Sequence, residues 1–446
     1  MTDLGLGLIS LYIFLAYSRV LDFRFGTLHI PFFLMCLLAL CVGLSGRSLA
    51  GFHSMPGKLL LAFTGWATLG IPFSVWRTGA MLGVRAWLIS MFLYAVMCGV
   101  IMSFGQLRYA VQSMALGVVG LSLLAMTLGT TREGRLFLAQ GKMANPNDMA
   151  QIFLIALPFM AFSVRVGGMP TKVLSVVGSF ALFYSLVQTG SRGAFLGFLF
   201  LAVAVFVHVS LKGKILVSLA TIAVLVAAIA FVPRNIVRRY VTFADEMEGP
   251  VSVTEGTAIG SLQDRRRLLI DSVKLTLRHP IFGVGMDQFE VAEDENAKES
   301  LLHLPWHQTH NSFTQVSSET GIPGFLLYYG AFGYCIWISG RASRFAKARI
   351  HPEWRNISLL SFCLRASLMT YAVSCLFLGT AYQLVFPTLA GLTVAMASTI
   401  EPQFGEWLKQ QKQQAAQPVS AVLAPPLRRP AGVGAATPAP SYFRRS

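Results

Sequence analysis

The stretch "HQTHNSF", residues 307–313, puts two histidines and an asparagine into a chain that is otherwise mostly apolar. His310, followed by Asn311 and Ser312, reads as the start of a helix, with Asn311 or Ser312 capping the turn "FTQVSSETG". A histidine at such a place, near a membrane surface, can act as a neutral base near pH 7. Zinc is the competing chemistry, because His303, His307 and His310 span only eight residues. His303 and His307 stand four apart, but Pro305 between them breaks the one helix that such a pair would need. No cysteine lies nearby and the surrounding carboxylates show no ligand spacing, so no metal site and no cofactor is expected.

Cations are the second ingredient. In "QTGSRGAFLG", residues 188–197, Arg192 is flanked by Gly190, Ser191 and Gly193, so little side-chain bulk surrounds it. A planar guanidinium presented in this way suits a phosphate better than a lysine does. An interfacial arginine reaching for lipid headgroups carries the same signature. Arg265, Arg266 and Arg267 open "DRRRLLIDSVKLTLRHP", whose apolar positions 268, 269, 273 and 277 form a helical stripe. This helix is expected to begin near Asp264 and to end at Pro280, Gly283 and Gly285. Any of its three leading arginines could meet an anion, and a solvated charged turn reads identically. Arg85, about one turn from the end of a span, could face an anionic group in the same site, whereas Arg365 sits nearer the cytoplasmic half of its span and is expected to pair or snorkel inside. Trp306 could stack on a sugar or simply mark the membrane interface.

The elements that must hold these groups follow from composition. Of 446 residues, 54% are hydrophobic and 13% charged, with mean hydropathy +0.60, too apolar for a soluble chain of this length. Twelve apolar runs recur, near 4–17, 28–45, 57–75, 80–103, 110–128, 149–164, 172–188, 193–210, 214–232, 322–340, 357–379 and 381–399. The expected fold is therefore an all-α polytopic membrane protein of about twelve transmembrane helices, the first an uncleaved anchor. Nine spans occupy 1–232, a large loop 233–321, three more spans 322–400, and a disordered basic tail 401–446. All six cysteines fall within spans, where packing is their expected role.

An even number of spans puts both termini on one side. Short loops on that side hold twelve Lys and Arg, against seven on the other, so the termini are expected to be cytoplasmic and the large loop external. The loop holds 13 of the chain's 20 acidic residues against nine basic ones, so the overall +16 reflects spans, short loops and tail. Such charge suits anionic lipid surfaces and is no argument for nucleic acid. On this topology "GKMANPNDMA" (141–150, with Asn145), the Arg192 turn and the large loop share the external face.

Taken in order, "NPND", "SRGA", Arg265-x14-Pro280-x2-GVG and "HNS-x6-E-x-G" resemble the bacterial O-antigen ligase family. Its superfamily also includes polysaccharide polymerases and protein O-oligosaccharyltransferases. The resemblance implies a metal-independent glycosyltransferase of the GT-C kind, working at the periplasmic face of the bacterial inner membrane. Its donor would be a glycan on undecaprenyl diphosphate, and its acceptor a sugar hydroxyl of the lipid A core oligosaccharide. It further implies Arg192 and Arg265 as diphosphate ligands and His310 as general base, the spacing to Pro280 selecting Arg265 among its neighbours. Arg85, Arg266, Asn311, Trp306 and Asn145 are the expected substrate contacts, and Glu319 is expected to orient the loop or pair with an arginine. One large external loop and no added soluble domain favour a ligase over a polymerase or an oligosaccharyltransferase. A transporter of lipid-linked glycans is the reading from another class, but the spans show no matching halves.

Overall fold

The computed structural model describes residues 2–21, 30–47, 49–132, 134–138, 145–231, 253–299, 308–348 and 352–416. Each of the twelve apolar runs coincides with a helix. The first five are α1 (Thr2–Ser18), α2 (Ile30–Leu44), α3 (Met55–Gly70), α4 (Arg77–Val100) and α5 (Phe104–Leu128). Four more follow: α6 (Pro146–Val166), α7 (Met169–Gln188), α8 (Arg192–His208) and α9 (Leu211–Phe231). The loop region contributes α10 (Val253–Arg278) and α11 (Phe289–Glu299). The chain then re-enters the bundle as α12 (Ser312–Lys347), α13 (Pro352–Cys375) and α14 (Val385–Ala416). Six of these helices are long and apolar enough to cross a membrane by themselves, and further apolar helices are shorter. This is a helical, polytopic membrane protein.

Three features depart from the sequence reading. A two-stranded antiparallel hairpin, β1 (Thr130–Arg132) and β2 (Arg135–Phe137), interrupts the all-helical pattern. Paired threonines ahead of Gly134 supply its strand and turn chemistry. The loop helix starts at Val253 rather than near Asp264, because no proline separates 253 from 279 and an aspartate inside a helix does not stop it. At the far end, helix continues through residues 401–416, a stretch assigned above to the tail; its "GEWLKQQKQQAA" composition favours helix.

The chain divides into two units, residues 1–400 and 401–446. In the first, α12 packs against α3, α10 and α13, while α6 packs against α5, α7 and α13. Between α3, α4, α12 and the chain just before α14, the rings of Phe63, Trp87, Tyr328 and Tyr382 lie edge-to-face, tilted or stacked, with centroids 5.3–6.3 Å apart. Trp87 Nε1 donates to Thr64 Oγ1 at 2.9 Å, so the one polar atom of that fully buried indole is satisfied.

Outside this bundle, Leu268 and Leu275 of α10 pack with Val284, Phe289 and Ala292 into a small core of their own. It is moored to α12 at a break in that helix. Gly321 has φ +72°, and a Cβ there would collide with the Ile281 carbonyl. Around the break, Val284 N donates to Ser318 O (2.9 Å), Gly285 N to Glu319 O (2.9 Å) and Ile322 N to Pro280 O (2.8 Å). The "P-x2-GVG" turn is thus bonded backbone to backbone against the first turns of α12. That is how the loop helix comes to be held over the bundle.

Candidate active site

Four stretches far apart in sequence meet around a cavity of about 350 Å³. The start of α6 is capped by Asn145, whose Oδ1 accepts from Asn147 N at 2.9 Å, and Pro146 pre-sets the first turn. One turn apart on α6, Asn147 and Gln151 both face the cavity. Arg135 of the hairpin is pinned beside them, donating from Nε to Thr189 O (2.8 Å) and from Nη2 to Asn147 Oδ1 (2.7 Å).

The α7–α8 turn supplies the second wall. Ser191 caps α8, accepting from Ala194 N at 3.4 Å, and this makes Arg192 the first residue of the helix, at the cavity. Guanidinium and helix N-terminus both favour an anion there. Gly193 is required by close approach, since a Cβ would stand 3.0 Å from that of Phe377.

The third wall is α10. Arg265 and Arg266 line the cavity, while Arg267 turns away and bonds Glu293 Oε1 at 2.8 Å. The α10 stripe decides this, because burying Leu268 and Leu275 in the small core aims the preceding turn at the cavity.

The fourth wall joins the start of α12 to the connection between α13 and α14. His310 lines the cavity in the left-handed region, φ +49°, a conformation uncommon for L-residues, in which Asn, Asp and His are over-represented. Its neighbours hold it there. Asn311 Oδ1 caps α12 by accepting from Phe313 N (2.9 Å) and Thr314 N (3.2 Å), while its Nδ2 donates to Leu376 O (3.4 Å). Ser312 Oγ donates to Leu378 O (2.6 Å) and accepts from Thr380 N (3.0 Å). Leu376, Phe377 and Leu378 give the cavity an apolar side.

Of the residues singled out from sequence, Arg192, Arg265, Arg266, His310 and Asn311 come together here. Asn311 spends its side chain on capping and on the Leu376 carbonyl, so its part is to position. Asn145 is not among the cavity-lining residues, because its carboxamide is the α6 cap. Arg85 is exposed on α4 and also stands outside the lining. Trp306, with His303 and His307, lies outside the described residues. Arg365 pairs with His208, Nη2 to Nε2 at 2.8 Å. The sequence reading missed Arg135, Asn147 and Gln151 as cavity residues. Arg135 is held at the cavity by partners distant in sequence, but Asn147 stood inside "NPND" and could have been found.

Glu319 is 3% exposed and accepts from Asp287 N (2.9 Å, Oε2) and Phe289 N (3.2 Å, Oε1). Of the two roles foreseen for it, orienting the loop is the one these bonds support. Truncation to alanine would leave two N–H groups short of an acceptor in a buried place, at about 1–3 kcal/mol each. Glu319→Ala should therefore lower the melting temperature and open the 279–289 turn to protease. Glu319→Gln, which keeps one acceptor oxygen, should fall in between. A melting curve and digestion pattern equal to wild type would refute this mooring.

Comparisons with known proteins bear on the same residues. Residues 177–329 match the family model described as O-antigen ligase, and so cover Arg192, Arg265, His310 and Glu319. That family embraces ligases and polymerases alike. No curated protein sequence matches the chain. A chain from a solved structure described as structural coordination of polymerization and crosslinking by a peptidoglycan synthase complex is similar at 16% identity. The match covers 78% of this chain and 97% of that one, at a TM-score of 0.39.

Proposed function

We propose that this protein is a membrane glycosyltransferase of the O-antigen ligase kind. It moves a glycan from undecaprenyl diphosphate to a sugar hydroxyl of the lipid A core oligosaccharide. The observation that carries the reading is one cavity shared by a histidine and the guanidinium groups of Arg135, Arg192, Arg265 and Arg266. The family match over 177–329 supports the same chemistry.

His310 accepts the proton of the acceptor hydroxyl as that oxygen attacks the anomeric carbon. The bond from that carbon to the diphosphate oxygen breaks, and the polyprenyl diphosphate leaves with the electron pair. Arg192 and Arg265 stabilise the charge developing on it, a task that needs fixed donors rather than a metal ion. A single displacement inverts the anomeric centre. The twelve helices span the inner membrane with cytoplasmic termini in a GT-C-like arrangement, and the cavity opens to the periplasm. The apolar residues Leu376 to Leu378 and Leu269 flank the end of the site where a lipid-linked donor would arrive.

The test uses purified protein, lipid-linked glycan and lipid A core, with and without a chelator. Glycan should appear on lipid A core at the same rate in either case. Longer chains on undecaprenyl diphosphate would make the protein a polymerase, and activity lost to the chelator would overturn the metal-independent step.

A further inference from the structure

Gln151 sits on the second turn of α6 and is 1% exposed, yet it lines the cavity. Its amide is held in one orientation. Oε1 accepts from Thr380 Oγ1 at 3.1 Å, and Thr380 is fixed through its own backbone: its N donates to Ser312 Oγ at 3.0 Å, and its carbonyl accepts from Tyr371 at 3.2 Å. The nitrogen, Nε2, has no hydrogen-bond partner among the described residues. Buried amide donors are almost always satisfied, and one left over at a cavity wall calls for an acceptor that arrives with a ligand.

What kind of acceptor follows from the neighbours. Asn147, one turn earlier on the same face, holds the Arg135 guanidinium at the cavity. The α6 stripe therefore presents a fixed cation and, one turn deeper, a fixed neutral N–H donor. Charge-rich acceptor oxygens suit that pair, and a neutral amide adds a donor without adding repulsion among the arginines. We propose that Gln151 and Arg135 form a phosphoryl subsite, separate in sequence from Arg192 and Arg265, that binds one phosphate of the lipid-linked diphosphate. This subsite rests on the function proposed above. It makes Gln151 a donor-binding residue contributed from within a span.

The test is binding of farnesyl diphosphate and of inorganic pyrophosphate to the full-length protein in detergent. Affinity is read by thermal shift and titration, with phosphatidylglycerol as competitor. Two variants remove the donor differently. Gln151→Met removes both polar atoms, and Gln151→Glu keeps an acceptor for Thr380. Wild type should bind both probes, and Gln151→Met should bind about 10–100-fold more weakly, the weight of one donor to a charged acceptor; Gln151→Glu, whose carboxylate also repels phosphate, should bind at least as weakly. Gln151→Glu should melt close to wild type without ligand, and Gln151→Met somewhat lower, because Thr380 Oγ1 loses its acceptor. Binding unchanged in both would overturn the subsite while leaving the diphosphate reading intact, provided Arg192→Met loses affinity. Absence of binding to wild type would overturn the diphosphate reading and the subsite with it. Equal displacement by phosphatidylglycerol would reduce the site to a headgroup contact and overturn the proposal.

Discussion

His310→Gly should lose transfer by about 10²–10⁴, the usual worth of general-base assistance, and should melt close to the wild type. The two halves of this result pull apart for a physical reason. With φ at +49°, a residue bearing a Cβ is held in a conformation that costs roughly 1–2 kcal/mol, and glycine does not incur that cost. Much of what holds the loop comes from other residues. Capping by Asn311 and the two bonds of Ser312 to the α13–α14 connection are made by other residues. Strain of this sort persists where the surrounding structure over-determines it, and it concentrates at functional positions. If the imidazole is the base, wild-type histidine trades stability for its place at the cavity. The glycine variant also leaves room for added imidazole, which should restore part of the rate if the missing group is a base. Initial rates with and without imidazole, together with melting curves, decide the matter. Transfer within a few-fold of wild type would remove His310 from the chemistry. A marked fall in melting temperature with no rescue would make it a structural residue.

How much of this was legible beforehand depends on the range of the interaction. The helices were, because an apolar run long enough to cross a bilayer leaves few alternatives for its backbone. The α12 cap was too: Asn311 ahead of "SFTQ" is a local signal, and the carboxamide does accept from Phe313 N and Thr314 N. The start of α10 was misplaced because Asp264 offers a cap that the chain does not use. Sorting Arg265 and Arg266 from Arg267 needed the partner Glu293, 26 residues away in sequence. Arg135 read as one more loop charge because its holders, Thr189 and Asn147, are brought to it only by the packed bundle. Gln151 had no sequence signal beyond a polar residue in an apolar run, and its meaning lies in an atom left without a partner among the described residues. Arg85 was read as site-facing from its depth in a span, whereas the direction a side chain takes around the helix is set by packing.

Arg192→Lys should lower transfer by about 10²–10³, although it keeps the charge and the helix. The argument turns on geometry. Arg192 is the first residue of α8, with Ser191 capping behind it and Gly193 pressed to Phe377, so the backbone beneath it has little room to adjust. From that fixed base a guanidinium can offer two parallel N–H groups to one phosphate, and an ammonium on a flexible stem offers a point charge. If the fork is matched to the charge that develops as the diphosphate leaves, its loss falls on kcat more than on KM for the donor. A headgroup-snorkelling arginine predicts the opposite, since lysine performs that task equally well. Arg267→Met supplies the control from the same arginine-rich part of the molecule. It removes a cation that is bonded to Glu293 and turned from the cavity, so it should weaken the packing of α10 on α11 and leave the rate constants near wild type. Equal loss of transfer in the two variants would mean that the enzyme responds to net positive charge around the site. Loss confined to Arg192→Lys, and carried by kcat, would assign the effect to the fork on the leaving group.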